Sequence, residues 1–315
     1  MGAEFVQLSL TPILIGTLSA IACALPGNFL VLRRQALIGD AISHVVLPGI
    51  VLAFLVTGSV GTWPMMLGAA AAATVAVGLI EAVRRLGGIE PGAAMGVVFT
   101  TLFALGVLLL EQSDTSRVHL DVQHALYGSL ESLIWFDAEG WASLVDPVAL
   151  AGLPPELFRI AAVAALVCLL TAIFWRPLKI ATFDEGFAAT LGIPTAALGL
   201  GLVMTAAVAA VAAFDAVGSI IAIAMFICPP AAARLMTQRL ESQIWWSVLF
   251  AVVSAVAGYV LAGYGPLWLG GQDAVSAAGM IATVSGLILA LAARFGPHRA
   301  RQGRVRRDDP QPQSR

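Results

Sequence analysis

Asp40 and His44 stand four residues apart in GDAISHVVLPG, within an otherwise apolar stretch. On a helix that spacing puts both side chains on one face, one turn apart. A carboxylate and an imidazole so placed can bind a divalent cation such as Mn²⁺, Fe²⁺ or Zn²⁺. The plainer reading has Asp40 capping a helix after Gly39 and His44 hydrogen-bonded to a neighbouring backbone. Counted from Arg34 at about 1.5 Å per residue, His44 falls ~15 Å into a membrane, near its midplane. A third candidate, Asp215, interrupts residues 193–233, which hold no other charge. It reads either as a turn residue at the outer surface or as a functional group. The same counting puts it ~28 Å from Arg234, and so roughly 13 Å from His44 in depth. For the three to meet at one ion a helix must break or tilt, and Pro48, Pro229 and Pro230 offer that. The soft sulfurs of Met225 and Cys228, nearby in sequence, are more often packing than ligands.

Other chemistry is missing. No glycine-rich phosphate loop ending in Lys-Ser/Thr occurs, so the chain cannot hydrolyse nucleotide alone. There is no serine nucleophile elbow and no HExxH. These absences argue against an enzyme. Cys23, Cys168 and Cys228 lie in apolar stretches at no metal-like spacing, which suits packing better than a disulfide framework. The net charge of −2 points to no nucleic acid or acidic partner.

The elements that must carry these residues follow from composition. Of 315 residues, 59% are hydrophobic and only 11% charged, and the mean hydropathy is +0.90. A soluble domain carries about 25% charged residues to hydrate its surface. Runs of about 20 nearly uncharged residues recur, long enough to cross a ~30 Å hydrocarbon core as helix. Lipid leaves every span to satisfy its own backbone, and the short alternating segments of a β-barrel are lacking. The fold class is therefore an all-α polytopic membrane protein.

Spans are predicted at about 11–32, 36–57, 64–83, 92–110, 158–175, 193–214, 216–233, 243–264 and 272–293. Fifteen of the seventeen basic residues follow odd-numbered spans, and only Arg117 and Arg159 fall on the other side. This asymmetry places the amino terminus outside and the carboxyl terminus in the cytoplasm. Nine spans satisfy it; eight or ten require a span to be misread, most readily in 193–233, where no polar loop separates two helices. Residues 1–10 carry no basic region of a cleaved signal peptide.

Residues 1–295 read as one transmembrane domain and 296–315 as a basic, disordered cytoplasmic tail. Residues 111–157 are polar and aromatic, with Leu120, Leu126, Tyr127, Leu130 and Leu133–Trp135 set among charges. That pattern suits an outside segment lying on the interface or packed over the helices. Between spans five and six, FDEGFAATLGIP follows Pro177 and Lys179. Asp184 and Glu185 precede a short amphipathic turn that Gly192 stops and Pro194 restarts, which predicts a rigid knob on the cytoplasmic face.

Three stretches carry a family resemblance: FLVLRRQALIGDAISHVVLPGIVLAFLVTG (29–58), FDEGFAATLGIP (183–194) and FDAVGSIIAIAMFICPPAAARLMTQRL (214–240). They resemble the ABC transporter permeases that import manganese, zinc and iron, and with the span pattern the likeness covers about residues 10–295. The resemblance implies a multi-pass permease in the inner membrane of a prokaryote, surrounded by membrane lipid. Its partners would be a cytoplasmic ATP-binding subunit, an extracytoplasmic metal-binding protein, and a second permease copy or a paralogue. The chain would bind no cofactor beyond the transported metal, ATP being used by the partner. Asp40 and His44 match the family's metal-coordinating positions, and Asp215 stands where a polar residue often does. Phe183, Asp184, Glu185, Gly186, Leu191 and Gly192 would belong to the coupling helix that docks on the ATPase. The sequence departs from the family's usual single proline at Cys228-Pro229-Pro230, and the wording of the first motif is closer to manganese and iron importers than to zinc importers.

Alternating access would then carry the ion past a weak, transient site, which protonation of His44 would weaken further. Two rivals differ in class. A proton- or sodium-driven secondary transporter would use Asp40 and His44 as a relay and need no ATPase. A membrane-embedded metalloenzyme would group Asp40, His44 and Asp215 around a catalytic metal and also act without one.

Overall fold

The computed structural model describes residues 2–35, 38–58, 62–112, 130–268, 270 and 275–297. The expectations for Leu120, Leu126 and Tyr127, and for the tail beyond residue 297, lie outside these residues, as does the side chain of Asp40 on its described helix.

Nine described helices are 18 residues or longer, matching the nine predicted spans: α1 (Thr11–Leu32), α2 (Ile38–Thr57), α3 (Thr62–Gly87), α4 (Pro91–Gln112), α6 (Pro155–Ile173), α9 (Thr195–Val217), α10 (Ser219–Met236), α11 (Leu240–Trp268) and α12 (Ala277–Phe295). Eight are long and apolar enough by their described residues to cross a membrane; α2, at 20 residues, is the ninth. Short helices complete the order: α5 (Pro147–Ala151), α7 (Trp175–Phe183) and α8 (Glu185–Thr190). No strand occurs among the described residues.

Small residues set the packing, because helices in lipid gain little from burying apolar surface and associate instead by close backbone approach. α1 is the hub. Of its most apolar window 61% is buried, against 17% for α6, and it packs on α6, α9, α10 and α11. Beside this body α2, α3 and α4 pack on one another, and α9 joins the two groups through α2 and α3.

One buried polar contact ties the hub to α11 near the basic end. Gln243 of α11 donates through Nε2 to Asn28 Oδ1 of α1 at 3.1 Å, while Asn28 Nδ2 donates to the Ala24 carbonyl at 2.7 Å. Both side chains are fully buried.

The ambiguous stretch 193–233 resolves into two helices joined by one residue. Gly218 has φ +80°, a left-handed region that a side chain disfavours, and it reverses the chain between Val217 and Ser219. The predicted break, at residue 215, falls three residues early, because apolarity alone cannot see a turn that needs only backbone freedom.

One end of the bundle is basic: Arg33, Arg84, Lys179 and Arg234 lie there, with α7 and α8. At the opposite end residues 130–154 form a cap. Trp135 is buried, and its indole N–H donates to the Ala149 carbonyl at 2.7 Å. Its backbone N–H donates to Gln7 O at 3.0 Å, and Glu131 Oε1 accepts from Ala277 N at the start of α12 at 2.6 Å. The described part of the polar segment is therefore packed over the helix ends.

Candidate functional site

His44 lies in the second turn of α2, half-buried, with its ring against two phenylalanines of α4. Phe99 stacks on it at 5.3 Å between centroids and 20° between planes, and Phe103 meets it edge-on at 5.5 Å and 78°. Rings at i and i+4 of one helix stand above one another, so α4 holds the imidazole from two sides and limits its rotation. Neither phenylalanine is distinguishable in the sequence from a lipid-facing side chain.

Asp40 sits one turn before His44, in the first turn of α2. The neighbouring Gly39 is where α10 reaches this helix: a Cβ there would lie 2.9 Å from the Phe226 ring. Phe226 is itself shaped by the proline pair. Pro230 has no N–H to give the Phe226 carbonyl four residues back, and that carbonyl turns toward Gly27 of α1, where a Cβ would meet it at 2.5 Å. The Cys228-Pro229-Pro230 segment thus sets the Phe226 carbonyl against α1 and its ring against the start of α2.

Neither proline site breaks its helix. α2 continues through Pro48, and α10 through Pro229 and Pro230. No break in either helix therefore carries Asp215 to His44. Asp215 instead meets Arg159 of α6, Oδ2 to Nη2 at 2.9 Å, and the same nitrogen reaches Glu156 Oε1 at 2.7 Å. The pairing follows from α6 and α9 lying side by side with their charged turns level at the end opposite the basic one. Arg159, one of two basic residues on the unexpected side, could have been flagged by that position. Among the described residues no three His, Cys, Asp or Glu side chains converge on a metal-sized space.

The predicted knob is present at the basic end. Asp184 caps α8, its Oδ1 accepting from Phe187 N at 2.8 Å. Gly192, at φ +76°, closes the other end, with Ile193 N donating to Ala188 O at 3.1 Å and Gly192 N to Ala189 O at 3.0 Å. This is the paired-bond ending that wants glycine in the left-handed position. Phe183 at the end of α7, Phe187 of α8 and Leu191 just after it are each 54–55% exposed and make the knob apolar, while Glu185 and Gly186 are also exposed. Lys179 of α7 pairs with Glu241 at the start of α11 and anchors the knob.

A cavity of about 570 Å³ opens between the knob and the bundle, lined by Arg33, Ile38, Glu81, Thr182 and Glu185 among others. Arg33 Nε donates to Thr182 Oγ1 at 3.4 Å. Burial lowers the pKa of its guanidinium, and the Glu185 carboxylate offsets part of that fall.

Comparison with known proteins fits this geometry. The sequence pattern of the ABC 3 transport family matches residues 6–137 and 150–295. The chain is 39% identical to the manganese transport system membrane protein MntD of Bacillus subtilis over 282 residues, 90% of each chain. It is 35% identical to the zinc transport system membrane protein TroD of Treponema pallidum over 297 residues, 94% of this chain and 75% of that one. Its fold is similar to the solved structure of PsaBC from Streptococcus pneumoniae in complex with Fab, with a TM-score of 0.70, 26% identity and 91% of each chain covered. None of these relatives supports a proton-driven carrier. The chain therefore belongs to the ABC 3 transport family, as a multi-pass permease subunit of a prokaryotic inner membrane that is not itself an enzyme, its ATP being hydrolysed by a separate subunit.

Proposed function

We propose that this permease carries a divalent transition-metal ion into the cell, manganese foremost, with zinc and iron as further substrates. The ion passes a transient site on α2 that contains Asp40 and His44. The observation that carries this is His44 itself: a half-buried imidazole in the second turn of α2, oriented by Phe99 and Phe103 and one turn from a carboxylate. An ionisable residue inside a span disfavours insertion by ~2.5–3.5 kcal/mol and is rarely kept for packing alone. The manganese and zinc systems named among the relatives support the substrate class. Asp215, engaged by Arg159, serves as a tie between α6 and α9 in this reading rather than as a ligand.

The positive-inside rule orients the chain, with the basic end and carboxyl terminus in the cytoplasm and the amino terminus outside. The apolar knob with Phe183, Phe187 and Leu191 then faces the ATP-binding subunit and docks on it. On the outer side an extracytoplasmic metal-binding protein delivers the ion over the cap, and a second copy of the chain or a paralogue completes the path. The test is uptake of radioactive manganese by cells expressing this chain with its ATP-binding and metal-binding partners. His44→Ala should abolish uptake at normal membrane expression. Undiminished uptake in that variant would remove His44 from the path, and uptake without the ATP-binding subunit would overturn the pump reading.

A further inference from the structure

The connector between α1 and α2 is built against its own backbone preference. Arg34 N donates to Val31 O at 3.2 Å and Gln35 N to Leu30 O at 2.8 Å. This is the same paired-bond helix ending that closes α8, yet the residue in the left-handed position is Arg34, at φ +59°, not glycine. An L side chain there is strained by roughly 1–2 kcal/mol relative to the right-handed region, and such strain persists only where surrounding contacts impose it. The contact beside it is Arg33. Its side chain leaves the connector, crosses the rim of the 570 Å³ cavity and reaches Thr182 of α7, with the Glu185 charge of α8 close by. Gly199 of α9 makes room for it, since a Cβ at that position would sit 3.2 Å from Arg33 Nη1. Across the same cavity Ile38 opens α2, two residues before Asp40.

We propose that Arg33 is a positioning residue for transport: its guanidinium is the strut through which movement of the α7–α8 knob reaches the first turn of α2, and with it Asp40. The proposal rests on the reading of that knob as the docking point of the ATP-binding subunit. A cavity lies between the knob and the start of α2, so no packed side chains pass displacement of α8 straight across that space. It can be passed through Thr182 and Glu185 to Arg33, and from Arg33 to a connector whose left-handed residue has a lower-energy backbone region to relax into. Coupling between sites needs such an element with two arrangements, biased from both ends.

The readout is the number of ATP molecules hydrolysed per manganese ion taken up, measured in proteoliposomes on the complex of this chain with its ATP-binding subunit, supplied with the metal-binding protein. Arg33→Ala should lower manganese uptake about tenfold with hydrolysis nearly unchanged, within the ~5–150-fold span of ordinary allosteric couplings. Arg33→Lys should recover part of the ratio, since an ammonium can still meet the Thr182 hydroxyl and the Glu185 carboxylate. Thr182→Val, which leaves Arg33 in place, should shift the ratio the same way by about twofold, the worth of one modest hydrogen bond. An unchanged ratio in Arg33→Ala overturns the proposal, as does a parallel loss of uptake, hydrolysis and assembly, which would make Arg33 a folding or docking residue. Phe187→Asp separates the two levels. If that variant still assembles with the ATP-binding subunit, the docking reading fails; if it does not assemble while Arg33→Ala keeps the wild-type ratio, only the strut fails.

Discussion

Two acidic positions of the membrane domain, Asp40 and Asp215, look alike in sequence and stand toward opposite ends of the bundle. Asp215 sits near the end of α9 with a guanidinium at 2.9 Å, itself shared with Glu156. Asp40 lies one turn before His44, whose ring meets Phe99 and Phe103 of α4. A carboxylate already matched by a cation has little left to offer a metal ion, whereas phenyl rings orient an imidazole without bringing a charge of their own. Scarcity of charge in a span identifies candidates, and the Arg159 partner marks Asp215 as one end of an ion pair.

That contrast can be broken most directly at the two carboxylates. Asp40→Asn should reduce manganese uptake on the order of 100-fold, because even the outer partners of metal ligands are worth ~10–100-fold. Asp215→Asn should leave uptake within about twofold, as expected of a partly exposed structural ion pair. Equal losses in the two variants would abolish the distinction. Next in size, Phe103→Ala frees one side of the imidazole and should lower uptake about tenfold at unchanged expression, the effect of loosening a positioned ligand. Arg159→Ala leaves Asp215 without its cation and should destabilise the protein by roughly 1–2 kcal/mol, less than a fully buried pair because both side chains retain some exposure. Thermal unfolding in detergent reads this, and Arg159→Leu combined with Asp215→Leu should restore most of the loss. The smallest effect belongs to the neutral pair: Gln243→Leu should cost about 0.6 kcal/mol, and at most ~1.7, with uptake intact.

Most of the architecture was legible in the sequence, for physical reasons. Nine apolar runs gave nine helices, because lipid leaves a chain few alternatives. The knob was legible because Asp184 and Gly192 do the same local work in any context, capping one end and turning the other. The neighbours were not. Phe99 and Phe103 face His44 through the packing of α2 on α4, and no spacing within either helix reveals that pairing. Arg159 and Asp215 are 56 residues apart, so their contact depends on which helices lie adjacent. Asn28 and Gln243, 215 residues apart, are harder still. The prolines offered a break in α2 or α10, and both helices instead run continuously through them.

Gly218 also bears on how the chain is made. A one-residue reversal leaves no loop to be hauled through the hydrocarbon when α9 and α10 enter the bilayer, and the one charge beside it is that of Asp215. The two helices must then be delivered by the translocation machinery as a single hairpin. Their common surface forms on entry, and Arg159, already in place on the earlier α6, is there to receive the incoming carboxylate.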